Sequence, residues 1–180
     1  IIFCEAFVPS ARRLFWKPQR FPIADAHYAM GFAALSQMLG EKRYYQRAVH
    51  FLEMLEATRC RGQKHYAWGY PFDWVGIGGT IKEETPLITT EPYVYEAFSQ
   101  VYDIDKNQKW RDIMRSLAQH VSEDYFDVET SPRAASASYC PSDRPDSGMV
   151  VNASAYRAFL LTKASFDFSE EKYLRQAERN

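Results

Sequence analysis

The sequence predicts an all-α chain of helical hairpins that form part of an α/α toroid, with about three hairpins present. Three observations predict it. Short and long connections alternate between helical segments, matched side-chain pairs recur at a near-constant spacing, and charge is concentrated in every second helix.

The first predicted helix runs from about Asp25 to Leu39, with Asp25 as its N-cap and Gly40 as its stop. The second runs from about Glu41 to Arg59. The third starts near Thr90, with Glu91 and Pro92 in its first turn, and ends near Tyr102. The fourth spans about Asn107–Glu123, where Trp110, Ile113, Met114, Leu117 and Val121 repeat at helical period. The fifth starts at Asn152 and ends near Ala164 or Phe166. The sixth starts at Ser169, a capping residue followed by Glu170 and Glu171, which suit the positive end of a helix dipole.

These segments pair into hairpins at about 25–59, 90–123 and 152–180. Gly40, Asp103–Lys106 and Ser165–Phe168 make tight joints, whereas Cys60–Thr89 and Asp124–Val151 are long. Ala34-Leu35, Ala97-Phe98 and Ala158-Phe159 recur at spacings of 63 and 61; Tyr45, Trp110 and Tyr173 recur at 65 and 63. That period exceeds those of tetratricopeptide, ankyrin and HEAT repeats. The first, third and fifth helices hold roughly five charged residues in about 41 positions, the others roughly 18 in about 48. Sparsely charged helices belong inside and charged ones outside, which describes two concentric rings; a plain stack of hairpins is the alternative.

The 180 residues suffice for one globular domain with its own core. With 22 Lys and Arg against 23 Asp and Glu, the net charge of −1 excludes a generally basic nucleic-acid binder. A mean hydropathy of −0.44 argues against stable membrane insertion. Cys4, Cys60 and Cys140 are odd in number and far apart, so neither a disulfide framework nor a metal site is expected, and a cytoplasmic location fits. The first residue is not Met and the last helix is still running at Asn180, so a fragment of a longer chain is expected. No nucleotide, zinc-protease or serine-hydrolase motif occurs, and no cofactor is expected.

Both long connectors lead from a charged helix into a sparsely charged one, so they are expected to converge over one rim, with Trp74 and Tyr139 not at opposite poles of the molecule. The first holds His65-Tyr66-Ala67-Trp68-Gly69-Tyr70-Pro71-Phe72-Asp73-Trp74, whose density of aromatic rings suits stacking on sugar rings, an isoprenoid chain, or simple burial. An apolar pocket around Asp73 would raise its pKa and suit a general acid; capping of loop N–H groups is the other reading. Glu91 and Tyr93 fall at the loop end of the third helix. Glu96 aligns with Arg157, which predicts an ion pair between inner helices or a carboxylate and guanidinium lining a central cavity. The second connector carries Ser136-Ala137-Ser138-Tyr139-Cys140 and Asp143-Arg144. Asn152, Ser154 and Tyr156 match the level of Asp25, His27 and Tyr28, and a His–Tyr pair suits β-elimination of uronic-acid polymers. His50 and His120, on charged helices, read as structural.

The runs Trp68–Trp74, Thr85–Phe98, Glu129-Thr130-Ser131-Pro132 and Asn152–Ala158 resemble a group of bacterial proteins linked to exopolysaccharide and lipopolysaccharide biosynthesis, often labelled delta-aminolevulinic acid dehydratase. The resemblance extends from about Phe21 onward. It implies a six-hairpin or terpenoid-cyclase-type toroid and a role near glycan assembly, with no catalytic residues to carry over. No βα alternation surrounds Lys64 or Lys82, so dehydratase chemistry does not follow.

The expected function is a carbohydrate-active protein that acts on or binds a bacterial polysaccharide or its precursor: a lyase, hydrolase or epimerase. The alternatives are a non-catalytic glycan-binding or scaffold protein working with other glycan-biosynthesis proteins, and an isoprenoid-handling toroid. The candidate catalytic residues are Asp73, Glu91 and Glu96; the candidate substrate contacts are Tyr66, Trp68, Tyr70, Trp74, Tyr93 and Arg157.

Overall fold

A computed structural model describes residues 7, 8, 10, 12–15, 17–76, 79–142 and 150–180. Cys4, Asp143 and Arg144 lie outside the described residues. A short helix, α1 (Arg12–Phe15), precedes three hairpins: α2 (Pro22–Leu39) with α3 (Lys42–Ala57), α4 (Glu91–Asp105) with α5 (Gln108–Glu123), and α6 (Val151–Phe168) with α7 (Glu171–Ala177). The chain is mostly helical. The two long connectors also carry small antiparallel sheets, β1 (Trp74–Gly76) with β2 (Gly79–Ile81) and β3 (Asp127–Ser131) with β4 (Ala134–Ala137).

All three hairpins turn the same way. Gly40, Lys106 and Ser169 each end their helix in the left-handed conformation, at φ 67, 53 and 56. An extended residue then starts the next helix. Asn107 is a true N-cap, its side chain accepting from the Lys109 N–H. Two predicted caps are corrected. Pro22 at the first position of α2 moves that start upstream, and Asp25 instead takes a bidentate pair from Arg20. Ser169 closes α6 rather than opening α7.

The turns set the repeat at 66 residues from Gly40 to Lys106 and 63 from Lys106 to Ser169. Burial follows that register: Asp25, Glu91 and Ser154 are equivalent, and so are Ala29 and Tyr95. The Ala–aromatic pairs therefore mark different levels of their helices, and Glu96 is level with Phe159 rather than Arg157. In each hairpin the shared position ties down the incoming connector. Arg20 donates to Asp25 at 2.7 and 2.9 Å, the Trp68 N–H to Glu91 at 2.9 Å, and the Ala137 N–H to the Ser154 hydroxyl at 3.0 Å.

α4 packs between α2 and α6; α3 also touches α4, and α5 touches α6. The core runs through this middle hairpin, where Trp68, Phe98 and Trp110 stack in sequence at centroid distances of 6.0 and 5.7 Å. Trp68 is fully buried, and its indole N–H is satisfied by the Leu55 carbonyl at 2.7 Å. The expectation that every sparsely charged helix is covered on most sides holds for α4 alone. Tyr28, Leu35 and Met38 on α2, and Phe159 and Phe166 on α6, are exposed, because each of these helices has an inner neighbour on one side only.

The connectors converge as expected. The Trp74 and Tyr139 rings lie 5.9 Å apart, the Ile88 N–H donates to the Tyr139 carbonyl at 3.1 Å, and Thr89 meets the Tyr139 hydroxyl at 3.3 Å. Within the first connector Gly69 bridges Pro86 so closely that a Cβ would fall 1.9 Å from the Thr85 carbonyl oxygen. Gly69→Ala is expected to cost about 2–4 kcal/mol in urea denaturation. Gly40→Ala, with open space but positive φ, should cost roughly 1–2 kcal/mol.

Candidate functional site

A pocket of about 560 Å³ opens where the loop-end halves of α2, α4 and α6 meet. α2 contributes His27 and Met30; α4 contributes Pro92, Tyr93 and Glu96; α6 contributes Asn152, Ala155, Tyr156 and Phe159. These positions recur every three or four residues, so each helix presents one face to the cavity.

Three polar groups from three helices touch one another across it. The His27 and Tyr93 rings lie 4.9 Å apart, and the Tyr93 and Tyr156 hydroxyls are 3.2 Å apart. His27 Nδ1 is 2.8 Å from the Ile23 carbonyl. A carbonyl only accepts, so Nδ1 carries a proton, and in the neutral ring Nε2, at the far side, is the acceptor. The Tyr156 hydrogen bond and burial hold the Tyr93 hydroxyl above its ordinary pKa, so it enters as an O–H donor. Glu96 is the one carboxylate of the lining, paired with Lys163 at 2.6 Å.

Of the nine residues put forward from the sequence, this pocket gathers Tyr93 and Glu96. Tyr70 and Trp74 stand with Tyr139 in a chain of aromatic rings on the connectors: Tyr70 meets Trp74 edge-on at 6.0 Å, and Phe72 and Trp74 are about two-fifths exposed. Trp68 is core. Tyr66 stacks on Trp68, lies beneath the Arg59 guanidinium, and its N–H donates to Ser116.

Three candidates are corrected. Asp73 is exposed rather than enclosed. It pairs with Lys82 at 2.7 Å and accepts the Glu83 N–H at 2.9 Å, and these bonds, Lys82 first, hold its carboxyl below the usual value. It pins the β1–β2 hairpin, and no apolar pocket surrounds it to raise its pKa. Arg157 is buried against Asp127 and the carbonyls of Val121, Ser122 and Tyr125, away from Glu96. Burial pulls its pKa down against the opposing pull of Asp127, so the guanidinium ties α6 to the end of α5 and to β3.

Glu91, the third, is fully buried and absent from the pocket lining. Its Oε1 accepts from Trp68 and lies 3.8 Å from His120 Nε2, while Oε2 has no partner among the described residues. His120 Nδ1 in turn meets Asp124 at 2.6 Å. Burial raises the Glu91 pKa well above the carboxylate range, against the Trp68 N–H, and lowers that of His120, against Asp124. Burial therefore disfavours the charged form of each. His120 is structural, as its place on a charged helix implied, and its spacing of four from Asp124 was the sequence signal for the pair.

Sequence reasoning placed His27, Asn152 and Tyr156 at the correct level but left them out of the site. It missed Met30, Pro92, Ala155 and Phe159, whose only signal is their helical spacing from those three. Among the described residues no group of His, Cys, Asp and Glu could hold a metal ion, and no helix is long and apolar enough to cross a membrane. In comparisons with known proteins, no family model, no curated protein and no solved structure matches the chain.

Glu91 also sets a pH dependence. A carboxyl whose folded pKa is raised contributes stability that is full below its unfolded value and is lost as pH rises through the folded one. Glu91→Gln copies the protonated form, so its stability relative to wild type should rise progressively from pH 5 to pH 9. Urea midpoints of the two proteins at both ends of that range check this.

Proposed function

We propose that this chain is part of an α/α toroid whose inner-helix pocket takes a sugar unit of a bacterial polysaccharide or its precursor. The observation that carries the reading is the convergence of His27, Tyr93 and Tyr156 from three inner helices, with an unprotonated imidazole nitrogen beside a pair of phenol hydroxyls. Such a set suits a uronic-acid unit. The His27 Nε2 takes the proton next to the carboxylate. The freed electron pair forms the ring double bond, the bond to the neighbouring sugar's oxygen breaks, and the tyrosine pair returns a proton to that oxygen. Asn152, on the same lining, supplies an amide donor for the carboxylate. The half-exposed Trp74 and Phe72 offer flat faces to sugar units outside the pocket.

A second reading has its own support. Met30, Pro92, Ala155 and Phe159 make much of the wall apolar, which suits an isoprenoid chain.

Oligouronates incubated with the protein should yield an unsaturated product, seen by ultraviolet absorbance. Tyr156→Phe and His27→Ala should each lower turnover about 100-fold or more while leaving oligosaccharide binding within a few-fold. Trp74→Ala should weaken binding instead. Binding without any double-bond product would replace catalysis by glycan binding. Binding of a polyprenyl phosphate but of no oligosaccharide would overturn the sugar reading.

A further inference from the structure

A second cavity, about 290 Å³, lies between the end of α3, the segment before α2 and the first connector. Its walls carry charge of both signs. Arg59 and Arg61 follow α3, and Glu83 and Glu84 follow β2. None of the four forms an ion pair with a described residue, although all line one space. Arg20 also lines it but is taken by Asp25.

All four are exposed, and two of them are anchored. Arg59 is stacked with its guanidinium carbon 4.4 Å from the Tyr66 ring centre. Glu84 is held at φ 58, where a residue with a side chain is strained, by its N–H to the Tyr70 carbonyl. Glycine would meet that conformation without strain, so the local fold gains nothing from a carboxylate here. The neighbouring Cys60 is no nucleophile: burial first, then Glu91 and Glu84, pushes its thiol far up in pKa. Unneutralised cations and anions around a space of this size match a ligand that carries both charges. The geometry points to a binding site for a small zwitterion, with its phosphate or carboxylate on Arg59 and Arg61 and its ammonium on Glu83 and Glu84.

Calorimetric titration with glucosamine 6-phosphate, glucose 6-phosphate, glucosamine and γ-aminobutyrate tests it, the first and last probes distinguishing phosphate from carboxylate. At least one zwitterion should bind tenfold or more tightly than glucose 6-phosphate and glucosamine. Arg61→Ala should weaken that binding about tenfold. Glu84→Gly should do the same while its thermal midpoint stays level or rises, which separates a lost contact from a lost fold. Failure of both zwitterions to bind, equal binding of a singly charged probe, or undiminished zwitterion binding to Glu84→Gly would each overturn the assignment. None of these variants touches the His27 pocket, so the outcome is independent of the sugar reading.

Discussion

The hydrogen bond from the Trp68 N–H to the Glu91 carboxyl is made in the dry interior, and much of the architecture hangs on it. A loop strand entering a helical core brings backbone donors that have no ladder to join. Glu91 satisfies one at the point where the connector dives, so Trp68 can bury its ring against Phe98 and hand its indole proton to Leu55. From there the connector runs back to the rim, where Gly69 presses against Thr85 and the aromatic chain begins. Asp25 and Ser154 answer the same need in the flanking hairpins, with an arginine and a second backbone N–H as their respective partners.

This need explains why the most reactive-looking side chains are not at the pocket. Glu91 and Arg157 are costly to bury, and each is spent on loop attachment: one meets a backbone N–H, the other three backbone carbonyls and Asp127. The inner helices reach the cavity with neutral hydrogen-bonding groups instead, His27, Tyr93, Tyr156 and Asn152, with Glu96 already balanced by Lys163. A cavity so lined sets a few neutral hydrogen-bonding groups on a wall made largely apolar by Met30, Pro92, Ala155 and Phe159.

Much of the helical plan was legible in the sequence because it rests on local signals. Gly40 stops α2, Asn107 caps α5, and the stripe from Trp110 to Val121 faces the core throughout. That Trp74 and Tyr139 share one end of the stack followed from chain direction alone; their ring contact did not. The register did not, since Ala–aromatic pairs are common on any inner helix and the left-handed turns at Lys106 and Ser169 carry no glycine to announce them. Short strands such as β1 leave little periodicity to detect. Asp73 misled because its neighbours Phe72 and Trp74 suggest an apolar setting, while its actual partner, Lys82, arrives across a hairpin. Arg157 misled through the shifted register, which set it opposite Glu96.

The three tie-down points have an evolutionary corollary. The first long connector is fastened at Trp68, near the start of α4, while its β1–β2 hairpin packs chiefly on itself; the β3–β4 hairpin of the second is instead bound to Arg179 and to α6. Insertions, deletions or wholesale exchange of the β1–β2 hairpin are then neutral to the scaffold, much as interchangeable heads fit one tool handle. Binding preference could diverge rapidly within such a lineage while the helical frame drifts slowly, and engineers could graft foreign loops between the same anchors.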